Sequence, residues 1–173
     1  MFAKKIILLS FITVFLLLNG CSGNLSNSEV IKSIDIDGST EFISQDLIEF
    51  DNDISNDGNG SIKISALEPT VINLLEFDDI DIENAILVYR AKLKTENLLG
   101  KAYLEMYCVF EGTGEFFSRG LDQTVSGTSE WTTKQTPFIL KTGQNPDSVK
   151  LNLVIDGSGT VWIDEIALLK KPL

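Results

Sequence analysis

Residues 101–111 read Lys-Ala-Tyr-Leu-Glu-Met-Tyr-Cys-Val-Phe-Glu, and the two sides of this stretch are unlike. Successive side chains of an extended chain point to opposite faces, so Ala102, Leu104, Met106, Cys108 and Phe110 share one face, and Tyr103, Glu105, Tyr107 and Val109 share the other. The first set is wholly apolar and belongs against a core. A slip of one residue would turn Lys101 and Glu105 inward, so the register is strongly specified. The same alternation recurs on both sides of this strand. Leu87, Tyr89, Ala91 and Leu93 alternate with Val88, Arg90, Lys92 and Lys94, and Val149, Leu151, Leu153 and Ile155 alternate with Lys150, Asn152 and Asp156. Shorter runs lie at Ile34–Ile36, Ile62–Ile64 and 70–77, and a last one covers 160–169. Turn clusters separate these runs, among them Asn56-Asp57-Gly58-Asn59-Gly60, Glu111-Gly112-Thr113-Gly114 and Asp156-Gly157-Ser158-Gly159. About eight to ten strands with such turns predict an all-β, antiparallel β-sandwich. Only 78–84 offers so much as one helical turn.

The N-terminus follows a different logic. Lys4 and Lys5 precede an apolar run from Ile6 to Leu18 broken only by Ser10 and Thr13. This is the length of a signal-peptide core and too short to span a bilayer. The run ends in Leu18-Asn19-Gly20-Cys21, which resembles the lipobox of bacterial lipoproteins. The resemblance implies a signal peptide over residues 1–20, cleavage before Cys21, and lipid on the Cys21 sulfur. Two or more acyl chains hold a protein stably at a membrane, since each buried methylene contributes roughly 0.8 kcal/mol. Residues 21–29 are rich in Ser, Asn and Gly and read as a polar tether, leaving 30–173 for the sandwich. Ser22, which is not Asp, resembles the pattern for sorting to the outer membrane where a cell has one. The expected location is the cell envelope.

Composition narrows the chemistry. The chain has 14 basic and 25 acidic residues. Losing the signal peptide removes Lys4 and Lys5 and no acid, so the mature chain is still more acidic. Such a surface repels phosphate backbones, and no nucleic-acid partner is expected. Of the 2 cysteines, Cys21 is assigned to lipid, so Cys108 has no intrachain partner and reads as a buried structural thiol. The chain has 0 histidines, which excludes Ser-His-Asp and Cys-His nucleophiles and the usual zinc sites. The segment from Asp53 to Gly58 opens like an EF-hand loop, but position twelve is Ile64 where a bidentate Glu is needed.

Several segments, in order, resemble the galactose-binding-like jelly rolls of carbohydrate-binding modules. Phe50-Asp51-Asn52-Asp53 with Gly58-Asn59-Gly60-Ser61-Ile62-Lys63-Ile64 resembles their early turn and strand, and Tyr89 to Lys94 the strand that follows. Residues 101–110 are similar to the central strand of the sugar-facing sheet, Trp131-Thr132-Thr133 with Pro137-Phe138 to a later element, and Gly159 to Ile166 to the closing strand. The resemblance implies a jelly roll with a non-catalytic, glycan-binding role. It also implies one structural calcium ion, with Asp164 of the closing strand as a ligand and Asp35 or Asp37 nearby to help.

A sugar site needs aromatic faces for the apolar side of a pyranose and planar polar groups for its hydroxyls. Tyr103, Glu105 and Tyr107 supply both from one strand, with alternate residues roughly 7 Å apart. Arg90, Arg119 and Asn152 are expected to line the same face and complete a candidate ligand-binding set, with a glycan or cell-envelope polysaccharide as partner. Trp131 and Trp162 read as packing residues. Two other functions compete: a structural or protein-interaction lipoprotein with no sugar ligand, and an enzyme built on paired carboxylates such as Glu105 with Glu111 or Glu115.

Overall fold

The computed structural model describes residues 28–173. The expected signal peptide, Cys21 and most of the expected tether lie outside the described residues. Eight strands follow in order: β1 (Glu29–Ile34), β2 (Glu49–Asp51), β3 (Ser61–Ala66), β4 (Thr70–Asp78), β5 (Ala85–Phe110), β6 (Gly114–Arg119), β7 (Val125–Leu140) and β8 (Ser148–Lys171). One short 3-10 turn, Gln45–Leu47, precedes β2. Every strand pairing is antiparallel. The first strand opens one residue inside the expected tether. The helical turn expected over 78–84 does not form: β4 runs to Asp78, and Asp79 and Asn84 take positive φ values of 54° and 48°.

Two long strands organise the molecule. β5 and β8 pair from Ile86 with Lys171 to Val109 with Ser148, a single ribbon that serves both layers of the sandwich. In one layer, 158–171 of β8 is flanked by β3 and β1, and the facing part of β5 by β7. In the other, 148–156 of β8 is flanked by β4, and 105–110 of β5 by β6. Glycine makes the corner between layers. A Cβ on Gly100 would meet the Asp156 carbonyl oxygen at 2.1 Å, and one on Gly157 would meet that of Leu99 at 1.8 Å. No larger residue fits where the two strands approach so closely.

Both layers line one core. Leu87, Tyr89 and Leu93 from the first half of β5 join Leu104, Met106 and Cys108 from the second half, with Leu151, Leu153, Ile163 and Ile166 of β8. The inward set expected for 101–111 is buried from Ala102 to Cys108. Burial pushes the Cys108 thiol up to about 12, consistent with an inert packing role. Tyr89 is fully buried, and among the described residues its hydroxyl is a buried side-chain polar atom with no hydrogen-bond partner.

Candidate functional site

The outward face of the second layer carries a cleft of about 420 Å³. Cross-strand register builds its floor. Asn73 of β4 lies opposite Asn152 of β8, Asn152 opposite Glu105 of β5, and Glu105 opposite Arg119 of β6. Four strands thus contribute one polar row about 14 Å across, three spacings of roughly 4.8 Å. The flanking rows are more apolar. Val71, Val154 and Tyr103 stand on one side, and Lys150 and Tyr107 on the other. Asn73 reaches its place through a bulge between Asn73 and Leu75, which buries both Leu74 and Leu75 while leaving Asn73 facing out.

Glu105 is the hub of the row. Its Oε2 accepts a hydrogen bond from Arg119 Nε, and its Oε1 accepts one from Asn152 Nδ2 at 3.3 Å. The carboxylate is 3 % exposed, and both partners are needed to offset its loss of water. In turn Glu105 raises the Arg119 affinity for its proton. Arg119 also lies over the Phe117 ring, 4.4 Å from its centroid. A second pair, Lys150 Nζ to Glu115 Oε1 at 2.6 Å, closes the rim and raises the Lys150 pKa. The two cations lining the cleft are therefore each held by a carboxylate.

Five of the expected ligand residues meet here: Tyr103, Glu105, Tyr107, Arg119 and Asn152. Tyr103 and Tyr107 were expected to stand exposed on the face, and neither does so fully. Tyr103 is 9 % exposed and Glu105 less, with residues of β4 and β6 lining the cleft on either side of the β5–β8 ribbon. Burial raises the Tyr103 pKa and keeps its hydroxyl protonated. Tyr107 is half-buried and tilts against Phe117, with ring centroids 5.8 Å apart.

Arg90 does not join them. It belongs to the part of β5 that lies in the other layer, in a shallow depression with Lys92, Thr133 and Glu165. Val71, Asn73, Lys150 and Val154 were not singled out from sequence, and Glu115 only as a carboxylate partner of Glu105 in the enzyme reading. The signal for Asn73 was present: one amide inside the apolar run 70–77.

Asp164 sits at 1 % exposure in β8, under the loop that leaves β2. Its Oδ2 accepts the backbone N–H of Asn56 at 2.7 Å and the Ser55 hydroxyl at 3.3 Å, and its Oδ1 accepts the Glu165 N–H at 2.7 Å. Calcium takes six to eight oxygens; both Asp164 oxygens accept N–H groups here, and no group of three acidic, His or Cys side chains suited to a metal occurs among the described residues, so an ion at Asp164 would need most of its oxygens from backbone carbonyls. Asp37 is engaged with Ser39, which lowers its pKa. Asp164 here ties the loop to the closing strand. Nearby, Trp162 is 4 % exposed and donates its indole N–H to Asp51 Oδ2 at 2.9 Å, a packing residue with its polar end satisfied.

The fold is that of the carbohydrate-binding-module jelly rolls. Among solved structures, the CBM22-1 xylan-binding domain from Paenibacillus barcinonensis Xyn10C superposes with a TM-score of 0.60 at 14 % identity, covering 85 % of this chain and 97 % of that one. The C-terminal family 22 carbohydrate-binding module of Clostridium thermocellum Xyn10B gives a TM-score of 0.58 at 9 % identity, over 82 % and 94 % of the two chains. A family 16 carbohydrate-binding module gives 0.51 at 15 % identity, over 70 % and 84 %. At these identities the likeness concerns the fold. No protein-family model matches the chain, and no curated protein matches it.

Proposed function

We propose that this protein is a lipid-anchored, non-catalytic polysaccharide-binding protein whose site is the cleft across β4, β8, β5 and β6. The observation that carries the reading is the polar row Asn73–Asn152–Glu105–Arg119 set between Tyr103 and Tyr107. Amides, a carboxylate and a guanidinium offer planar donors and acceptors to sugar hydroxyls, and the tyrosines offer apolar faces. The polysaccharide is a neutral one. Arg119 and Lys150 are already paired with Glu105 and Glu115, and the chain is strongly acidic, so an anionic glycan would meet no free positive charge in the cleft.

The same pairing argues against acid–base hydrolysis, which needs two carboxylates in opposed environments. Glu105 and Glu115 each face a cation instead. Anchoring through Cys21 would hold the module in the cell envelope, at the outer membrane where one exists.

The test is a glycan array probed with the chain from Ser22 onward, alongside Tyr103→Ala and Tyr107→Ala. Binding to neutral polysaccharides that either substitution weakens by about tenfold supports the reading; no binding to any glycan sinks it. Labelling cells with a clickable fatty acid tests the anchor, and undiminished incorporation in Cys21→Ala would overturn it. A protein-interaction role is the second reading. It rests on Leu67 and Leu99, 93 % and 74 % exposed beside Gly159 and Ser158 at the glycine corner, and it predicts that Leu67→Ser with Leu99→Ser abolishes a partner contact while glycan binding persists.

A further inference from the structure

The outward positions of β6 are 115, 117 and 119. Glu115 and Arg119 line the cleft, while Phe117, between them on the edge strand of this layer, stands outside its lining. Its ring is 55 % exposed on the side of the sheet away from the core, and Phe116 on the opposite side is 48 % exposed, edge-on to Phe110 at 5.9 Å. Phe117 adds little to the interior. Its ring is nevertheless held in place, tilted against Tyr107 on one side and under the Arg119 guanidinium on the other. A large apolar side chain fixed in orientation and left half in water is a surface prepared for contact.

Register supplies the direction. Glu76, Lys150, Tyr107 and Phe117 form the row beside the polar floor, so Phe117 continues outward from Tyr107 across the strands. A linear glycan lying along the Asn73–Arg119 row leaves the cleft over β6, and the next pyranose beyond Tyr107 arrives at this ring.

We infer that Phe117 is an outer sugar-stacking subsite that engages only glycans long enough to run out of the cleft over β6. The inference rests on the glycan-binding reading above and adds to it a chain direction and a preference for length. Glu105 and Arg119 then have a second effect: by fixing the guanidinium over Phe117 they fix the platform as well.

The experiment uses ladders of xylo-, cello-, manno- and galacto-oligosaccharides from disaccharide to hexasaccharide, titrated calorimetrically into wild type, Phe117→Ala, Phe117→Tyr and Tyr107→Ala. The exposure of Phe117 leaves the fold intact on substitution, which a urea melt verifies. Phe117→Ala is expected to bind the shortest bound sugar as wild type does and the hexasaccharide about tenfold more weakly, with Phe117→Tyr restoring the difference. Tyr107→Ala is expected to lose affinity at every length. If Phe117→Ala matches wild type throughout, or loses affinity equally at all lengths, while Tyr107→Ala still fails, the outer subsite is refuted and the cleft stands. If wild type binds no ladder, or Tyr107→Ala is also without effect, the cleft reading falls and the subsite with it.

Discussion

Replacing Glu105 by Gln removes one charge from the cleft floor while keeping the side chain's length and planar end. A carboxylate meets the two donors with two oxygens, whereas an amide has one, so Gln can accept from Arg119 Nε or from Asn152 Nδ2 but not from both. One of the two hydrogen bonds is lost, at about 1 kcal/mol. The Arg119 side chain is 39 % exposed, and water partly replaces what it loses, so the expected cost in stability stays at about 1 kcal/mol. Glu105→Leu is harsher. It strands the Asn152 amide and frees Arg119 from both Glu105 and its place over Phe117, at about 2 kcal/mol. Binding should respond more strongly than stability, since the guanidinium is no longer held toward a ligand: about tenfold for Gln, and loss of measurable binding for Leu. Urea unfolding followed by Trp fluorescence gives the first pair of numbers, and calorimetric titration with an array-identified glycan gives the second. If Glu105→Leu is as stable as wild type, or Glu105→Gln binds unchanged while Tyr107→Ala fails, Glu105 does not organise the site.

Three further outcomes follow from the geometry. Tyr89→Phe removes a fully buried hydroxyl with no partner among the described residues and should raise stability by about 1 kcal/mol in the same urea assay; a loss of stability would mean the hydroxyl is satisfied after all. Trp162, with the Ile54 and Asp53 N–H groups, holds the Asp51 carboxyl below the usual range. Its contribution is therefore full above the unfolded-state value near 3.9 and lost as pH falls through the lower folded value, so the urea midpoint should drop on acidification below roughly pH 4 and Asp51→Asn should flatten that drop. With N–H donors on both Asp164 oxygens, EDTA should leave the melting temperature unchanged, whereas Asp164→Ala should lower it with or without EDTA; an EDTA-induced fall that Asp164→Ala abolishes would establish the calcium site.

The register of 101–111 was legible because a one-sided core imposes a strict period of two, and four inward residues, Ala102, Leu104, Met106 and Cys108, are buried by it. Depth was not. Alternation tells outward from inward, but a cleft floor and an open face look identical along one strand. Tyr103 and Glu105 share the cleft with side chains of β4, which is distant in sequence, and of β6, which folds back across a hairpin. The placement of Arg90 failed for a related reason. Its parity is outward, yet the strand carrying it and the strand carrying Tyr103 are one element turned through the Gly100 corner. The two halves of β5 read in sequence as separate alternating runs, and the pairing with β8 continues between them through a register shift from Glu96 to Leu99. Asp164 lies in the strand the resemblance implies, whereas the local loop whose N–H groups its oxygens accept was not legible from the resemblance.

A glycan lying across the polar row of the second layer would perturb the residues of that row and leave the opposite layer untouched. This is read by titrating the isotopically labelled chain from Ser22 onward with an array-identified neutral oligosaccharide and following amide and side-chain chemical shifts. Shifts are expected to concentrate at Asn73, Tyr103, Glu105, Tyr107, Arg119 and Asn152, spreading to Phe117 with longer chains. Shifts confined to the opposite layer, around Arg90 and Thr133, or to the corner at Leu67 and Leu99, would contradict this placement of the glycan.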